Sequence, residues 1–160
     1  MLKGIHPLLG PDLLHALRSM GHGDDIVIAD ANFPATSMGP KVIRADGVDA
    51  IAMTEAVLSH MPLDTFVPES AWRMQVVDDP AAVPPVCAEF QKVVSRLAGS
   101  FVVHSVERFA FYDLARRAAC IVATTEYRLY GNIILRKGVV HPHEAFQAGR
   151  SPEGQQMDPR

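Results

Sequence analysis

The chain has 160 residues, 48% of them hydrophobic and 21% charged, and a net charge of -3; that suits one sizeable core and leaves two domains cramped. The charges form no basic stripe or run, so the electrostatic footprint of a nucleic-acid or anionic-membrane binder is missing and neither partner is expected. No apolar stretch approaches the roughly 18 residues of a transmembrane helix, and Met1 to Pro7 carries no signal-peptide apolar region, so a cytoplasmic location is expected.

Pro11 to Met20 reads as a helix, with proline in the first turn, Leu13, Leu14, Leu17 and Met20 at helical spacing, and Gly21 just past the end. Gly21-His22-Gly23 then hangs an imidazole, which exchanges protons near neutral pH, between two conformationally free residues on a loop. Ile26 to Ala29 is a short strand that runs into Asp30. Asn32 to Pro40 is a loop by its prolines, glycine and small polar residues, and Lys41 to Ala45 is a second strand. A helix from about Asp49 to His60 follows, with Ala50, Met53, Val57, Leu58 and Met61 on one side. Trp72 to Val77 alternates as a half-buried strand would, with Arg73 and Gln75 outward. Pro84-Pro85 opens a helix through about Ala98, Phe101 to Val106 is a strand, and Glu107 to Arg117 is a helix. Ala119 to Thr125 and Asn132 to Leu135 are the last strands. The alternation predicts an α/β layered domain with a mainly parallel or mixed sheet, occupying residues 1–148. The tail over 149–160 has almost nothing to bury and is expected to be disordered. Cys87 and Cys120 fall outside any Cys-x-x-Cys pattern and read as reduced thiols.

Four segments carry chemistry. Gly21-His22-Gly23 precedes a strand and opens no helix, so it is not a dinucleotide fingerprint; no Gly-x-x-x-x-Gly-Lys phosphate loop exists, and no cofactor is expected. His141-Pro142-His143 is a fragment of a ligand set with no third ligand at familiar spacing, and no metal is expected. Glu126 to Asn132 places two phenols, a guanidinium and an amide around Gly131, donors and acceptors suited to a polyhydroxylated ligand. An ordinary Gly-Asn turn explains the same residues. Arg108 stands at a helix N-terminus, where a cation opposes the macrodipole; a ligand or carboxylate that holds it there and a solvated arginine are both open.

Read together, Gly21-His22-Gly23-Asp24, Ala29-Asp30-Ala31-Asn32-Phe33-Pro34-Ala35, Ser37-Met38-Gly39-Pro40, Ile43-Arg44-Ala45-Asp46-Gly47, Arg108-Phe109-Ala110-Phe111-Tyr112 and Tyr130-Gly131-Asn132-Ile133-Ile134-Leu135 resemble the fucose mutarotase and ribose pyranase family. With Met1-Leu2-Lys3 the resemblance runs from Met1 to about Gly138. It implies a three-layer α/β fold, a homo-oligomer that is usually a decamer of two pentameric rings, and cofactor-free interconversion of the anomers or ring forms of a free monosaccharide. By position His22 matches the family's proton donor. Asp30, Arg108, Tyr130, Gly131 and Asn132 match its sugar-binding positions. Arg108, where ribose pyranases tend to carry histidine, points to the fucose branch and L-fucose, while Asn32 and Thr36 depart from certain bacterial members that have histidines there.

Mutarotation protonates the ring oxygen and deprotonates the anomeric hydroxyl, work for positioned acid–base groups and not for a redox centre. A sugar-binding accessory protein that does not turn its ligand over needs the same hydroxyl-binding groups, and a metal-dependent hydrolase on His22, Asp30 and the His141/His143 pair is a third reading. With residues 25 to 30 extended at about 3.3 Å each, His22 and Asp30 stand nearly 20 Å apart. The spacing therefore predicts a site that straddles a subunit interface, with His22 from one chain and Asp30 from its neighbour.

Overall fold

The computed structural model describes residues 2–141. His143 and the 149–160 tail lie outside them. Six strands, β1 (Asp25–Ala29), β2 (Lys41–Ala45), β3 (Ala71–Met74), β4 (His104–Val106), β5 (Cys120–Thr124) and β6 (Ile133–Arg136), form one sheet in the order β2-β5-β1-β6-β3-β4. Every pairing is parallel except the two that β6 makes, which are antiparallel, so the sheet is mixed as expected. The helices are α1 (Pro11–Ser19), α2 (Ala50–Leu58), α3 (Pro85–Leu97) and α4 (Arg108–Arg117).

The central strands β1 and β5 are buried at every position, as strands covered on both faces must be. Ile26, Ile28, Cys120, Val122, Ile133 and Leu135 face one core with Leu13 and Leu17 of α1, Met53 and Val57 of α2, and Phe90 and Val94 of α3. Val27, Ala29, Ile121 and Ile134 face a second, smaller core with Phe111 and Ala115 of α4. Three helices, a sheet and one helix make the three layers. Phe90 and Phe111 are the largest fully buried side chains, one in each core, and truncating either to alanine would cost about 3–5 kcal/mol.

Three elements differ from the sequence reading. β3 ends at Met74, and Arg73 is buried because its strand has neighbours on both sides and a covered second face. β4 begins only at His104 because the Gln91 side chain donates to Phe101 O at 2.9 Å and accepts from Val103 N at 2.8 Å, taking the bonds a strand ladder would use. The loop after Asp30 contains a short 3-10 helix, Ala35–Met38.

The mixed topology sorts the chemistry to two edges. The carboxyl ends of β1, β3 and β4 lead to Asp30, Val77 and Arg108, and β6, running the other way, begins just after Asn132. The opposite edge receives His22 before β1 and Lys137 after β6.

Candidate functional site

At the carboxyl edge, where open α/β sheets place their ligands, a cleft of about 210 Å³ is lined by Asp30, Asn32, Phe33, Met74, Val77, Arg108, Tyr112, Leu129, Tyr130 and Asn132. Asn132 clasps Asp30 at two points, accepting from Asp30 N at 2.9 Å and donating from Nδ2 to Asp30 Oδ2 at 2.7 Å. Asn32 N donates to Asp30 Oδ1 at 2.9 Å. Burial nevertheless dominates and lifts the Asp30 carboxyl above its ordinary value, the amides of Asn32 and Asn132 opposing. Tyr130 sits at φ +64°, a conformation that β-carbon-bearing residues rarely adopt, and its hydroxyl oxygen accepts from Val77 N at 3.1 Å. That leaves the phenolic proton for another acceptor.

The turn that presents Tyr130 is braced from behind. Glu126, buried, accepts from Arg128 N at 3.0 Å, Nε at 2.9 Å and Nη2 at 2.7 Å, while Arg128 Nη1 donates to both oxygens of Glu89 at 3.1 Å. The Arg128 bonds hold the Glu126 carboxyl below its ordinary value. A Cβ at Gly131 would stand 2.6 Å from Glu126 Cγ, so this close approach admits only glycine.

Arg108 is the first residue of α4, whose N-terminal amides at Phe109 and Ala110 donate to Glu107 at 2.7 and 3.2 Å. Its guanidinium lies 4.7 Å from the Phe109 ring centroid, and its Nε is buried with no hydrogen-bond partner among the described residues. A buried donor left unsatisfied costs about 1–3 kcal/mol. A neighbouring depression of about 330 Å³ lies beyond the wall made by Asp30, Phe33 and Pro34, with Thr36, Ser37 and Arg44 on its far side. The smaller cleft is the better candidate because Asp30, Arg108, Tyr130 and Asn132 all line it.

The opposite edge holds His22. Its Nε2 lies 3.0 Å from Asp64 Oδ1, and its ring meets Phe66 edge-on at 5.3 Å. Half of the imidazole is exposed, at 46%, whereas Asp64 is buried at 1%. Burial pushes the Asp64 carboxyl up, but Phe66 N, the imidazole and the more distant Arg136 together outweigh it, and the group lies below its ordinary value. Sequence reasoning missed Asp64 and Phe66. The Asp64 carboxylate accepts from Phe66 N two residues on, a turn signal, but nothing in the sequence joins it to a histidine 42 residues away. Asp30, Arg108, Tyr130, Gly131 and Asn132 thus gather at one edge, and His22 stands at the other with a carboxylate of its own. No group of three or more histidine, cysteine, aspartate or glutamate side chains fit for a metal ion occurs among the described residues. Among them, too, no helix is long and apolar enough to cross a membrane.

Residues 3–140 match the RbsD / FucU transport protein family. The fucose mutarotase of Bos taurus is 46% identical over 150 residues, covering 90% of this chain and 97% of its own. The L-fucose mutarotase of Actinobacillus pleuropneumoniae is 44% identical over 140 residues, covering 87% and 97%. The crystal structure of the fucose mutarotase from Streptococcus pneumoniae in complex with L-fucose superposes with a TM-score of 0.81 at 40% identity, covering 88% of this chain and all of that one. On its sequence, its three-layer fold and the extent of these matches, the chain belongs to the RbsD / FucU family.

Proposed function

We propose that the protein is an isomerase, a mutarotase that interconverts the anomers of free L-fucose without a cofactor. The observation that carries this reading is the likeness, over nearly the whole described chain, to proteins named fucose mutarotase, one of them solved with L-fucose. The carboxyl-edge cleft supports it: a carboxylate, an amide, a phenol and a guanidinium converge beside the apolar faces of Phe33, Met74 and Leu129, the mixture a sugar's hydroxyls and C–H surface call for.

In this reading Asp30 orients a sugar hydroxyl, while Arg108, Tyr130 and Asn132 fix the ring by hydrogen bonds and Gly131 lets their turn approach. His22 gives a proton to the ring oxygen as the C1–oxygen bond breaks and the anomeric hydroxyl loses its proton to solvent. Rotation about C1 follows; on reclosure the ring oxygen bonds to C1 again and returns its proton to the imidazole, while the former carbonyl oxygen takes a proton from solvent to restore the anomeric hydroxyl. Asp64, an ionised acceptor, accepts a hydrogen bond from Nε2–H and so leaves Nδ1 as the atom that exchanges a proton with the sugar.

The two edges of one chain are then parts of two different sites. His22 is supplied to the cleft of a neighbouring subunit in a homo-oligomer, a decamer of two pentameric rings. Large apolar side chains stand uncovered beside both parts, Phe66 at 68% exposure by His22 and Leu129 at 66% by the cleft, as surfaces awaiting a second copy would. NMR saturation transfer between anomeric protons, run across a panel of free sugars, tests the reading. Accelerated exchange greatest for L-fucose is expected. No acceleration for any sugar would contradict it in favour of a binding protein that holds its ligand without turning it over.

A further inference from the structure

The segment Arg136 to Gly138 runs between the two members of the His22–Asp64 pair. Toward the histidine, Gly23 N donates to Lys137 O and Lys137 N donates to Asp24 O, both at 2.9 Å. Toward the aspartate, Asp64 N donates to Arg136 O at 3.1 Å and Gly138 N donates to Pro62 O at 2.8 Å. The two strands of chain are so close here that a Cβ on Gly138 would stand 2.3 Å from Leu63 O.

Any residue but proline at position 137 offers those backbone bonds. The side chain adds a different one. Its ammonium donates to Leu17 O at 2.7 Å and Met20 O at 2.6 Å, the carbonyls at the end of α1 that lead into Gly21. Lys137 therefore grips the histidine turn on both sides, before it through the side chain and after it through the backbone. Burial pulls this ammonium below its ordinary value, with Arg18 adding to the effect and Asp24 opposing it. A residue that merely filled the space would carry no such desolvation penalty. The charge is matched to its place, because a cation on the last carbonyls of a helix offsets the negative end of its macrodipole.

We propose that Lys137 is a positioning residue for the reaction: by tying the end of α1 to the Gly21–Gly23 turn, it sets the His22 ring against Asp64 and against the sugar. The inference rests on the reading of His22 as the proton donor. It also implies a division of effects, because the sugar-binding groups lie at the other end of β6 and make no bond to Lys137 among the described residues.

The test compares full-length Lys137→Met, Lys137→Arg and His22→Ala with the wild type, measuring L-fucose anomer exchange against sugar concentration together with thermal unfolding. Lys137→Met should lower kcat by about ten- to a hundredfold, the scale of a misplaced catalytic group, with KM unchanged. Lys137→Arg, which keeps the cation and its donors, should recover most of that loss. If the methionine chain does not fold, Lys137→Gln, with a shorter, uncharged amide, is expected to show the same split. A wild-type kcat in the folded uncharged variant, a loss confined to KM, or an arginine variant no better than methionine would overturn the proposal. Full exchange by His22→Ala would remove the donor reading and this inference with it. A dead His22→Ala beside a fully active Lys137→Met removes this inference alone.

Discussion

The two edges of the sheet carry polar groups in opposite states. At the amino edge His22 and Asp64 satisfy each other, and the loop that bears the histidine is tied down by hydrogen bonds through Asp24 and Lys137. At the carboxyl edge, among the described residues, Arg108 Nε is buried without a partner, and the Tyr130 hydroxyl accepts from Val77 N and leaves its own proton over. The carboxylates follow suit: burial lifts Asp30, whereas hydrogen-bond donors outweigh burial at Asp64 and hold it down. Two carboxyls pushed in opposite directions are suited to different tasks, one to meeting a ligand and one to orienting an imidazole. Under the proposed function, the amino edge presents a pre-oriented donor and the carboxyl edge presents the groups that meet the sugar.

Substitutions at each edge should therefore fail in different ways. The largest effect is expected from His22→Ala, which should lower the exchange rate about 10²- to 10⁴-fold, the usual share of positioned acid–base catalysis. Sugar affinity, measured by calorimetry, should survive, because the groups proposed to bind the sugar are on the other edge. Undiminished exchange after subtraction of buffer catalysis would favour the non-enzymatic binder. Next comes Gly138→Ala, whose Cβ would meet the backbone of Leu63 at 2.3 Å and displace the Asp64 segment. About 1–3 kcal/mol of stability should be lost, together with kcat, and urea unfolding checks the first while exchange kinetics check the second.

The smallest effect concerns pH. Because the folded-state pKa of Asp30 is raised, the folded chain holds that proton more tightly than the unfolded chain does. The group's contribution is most favourable below the ordinary carboxylate pKa of about 4 and is lost as pH rises from there through the raised value. Asp30→Asn removes that slope, so the stability difference between wild type and variant should move against the wild type as pH climbs toward neutrality. The same variant should weaken sugar binding and raise KM. A pH-independent stability difference would mean that Asp30 is not strained by its burial.

Much of the fold was legible because its signals are local. Pro11 and Gly21 bracket α1, and the apolar runs around Val27 and Ile121 mark strands covered on both faces. Arg73 misled the reading of β3 because polarity usually marks the open face of a strand, and this strand has none. The β4 boundary depended on Gln91, ten or more residues earlier in the chain, taking the place of a ladder partner. Asp30, Arg108 and Tyr130-Gly131-Asn132, singled out in the sequence, lie together at the carboxyl edge. Asp64 was invisible, since a carboxylate becomes the partner of a histidine 42 residues away only once the sheet has brought their loops together.

Whether each site is shared between chains can be decided by mixing two inactive variants. His22→Ala retains an intact cleft, and Arg108→Ala retains an intact donor. Co-refolded in equal amounts, they should form about a quarter of their interfaces with both intact parts facing each other. L-fucose exchange in the mixed oligomer should recover to roughly that fraction of wild type. A mixture as inactive as its components, in oligomers shown by native mass spectrometry to contain both chains, would contradict the shared site.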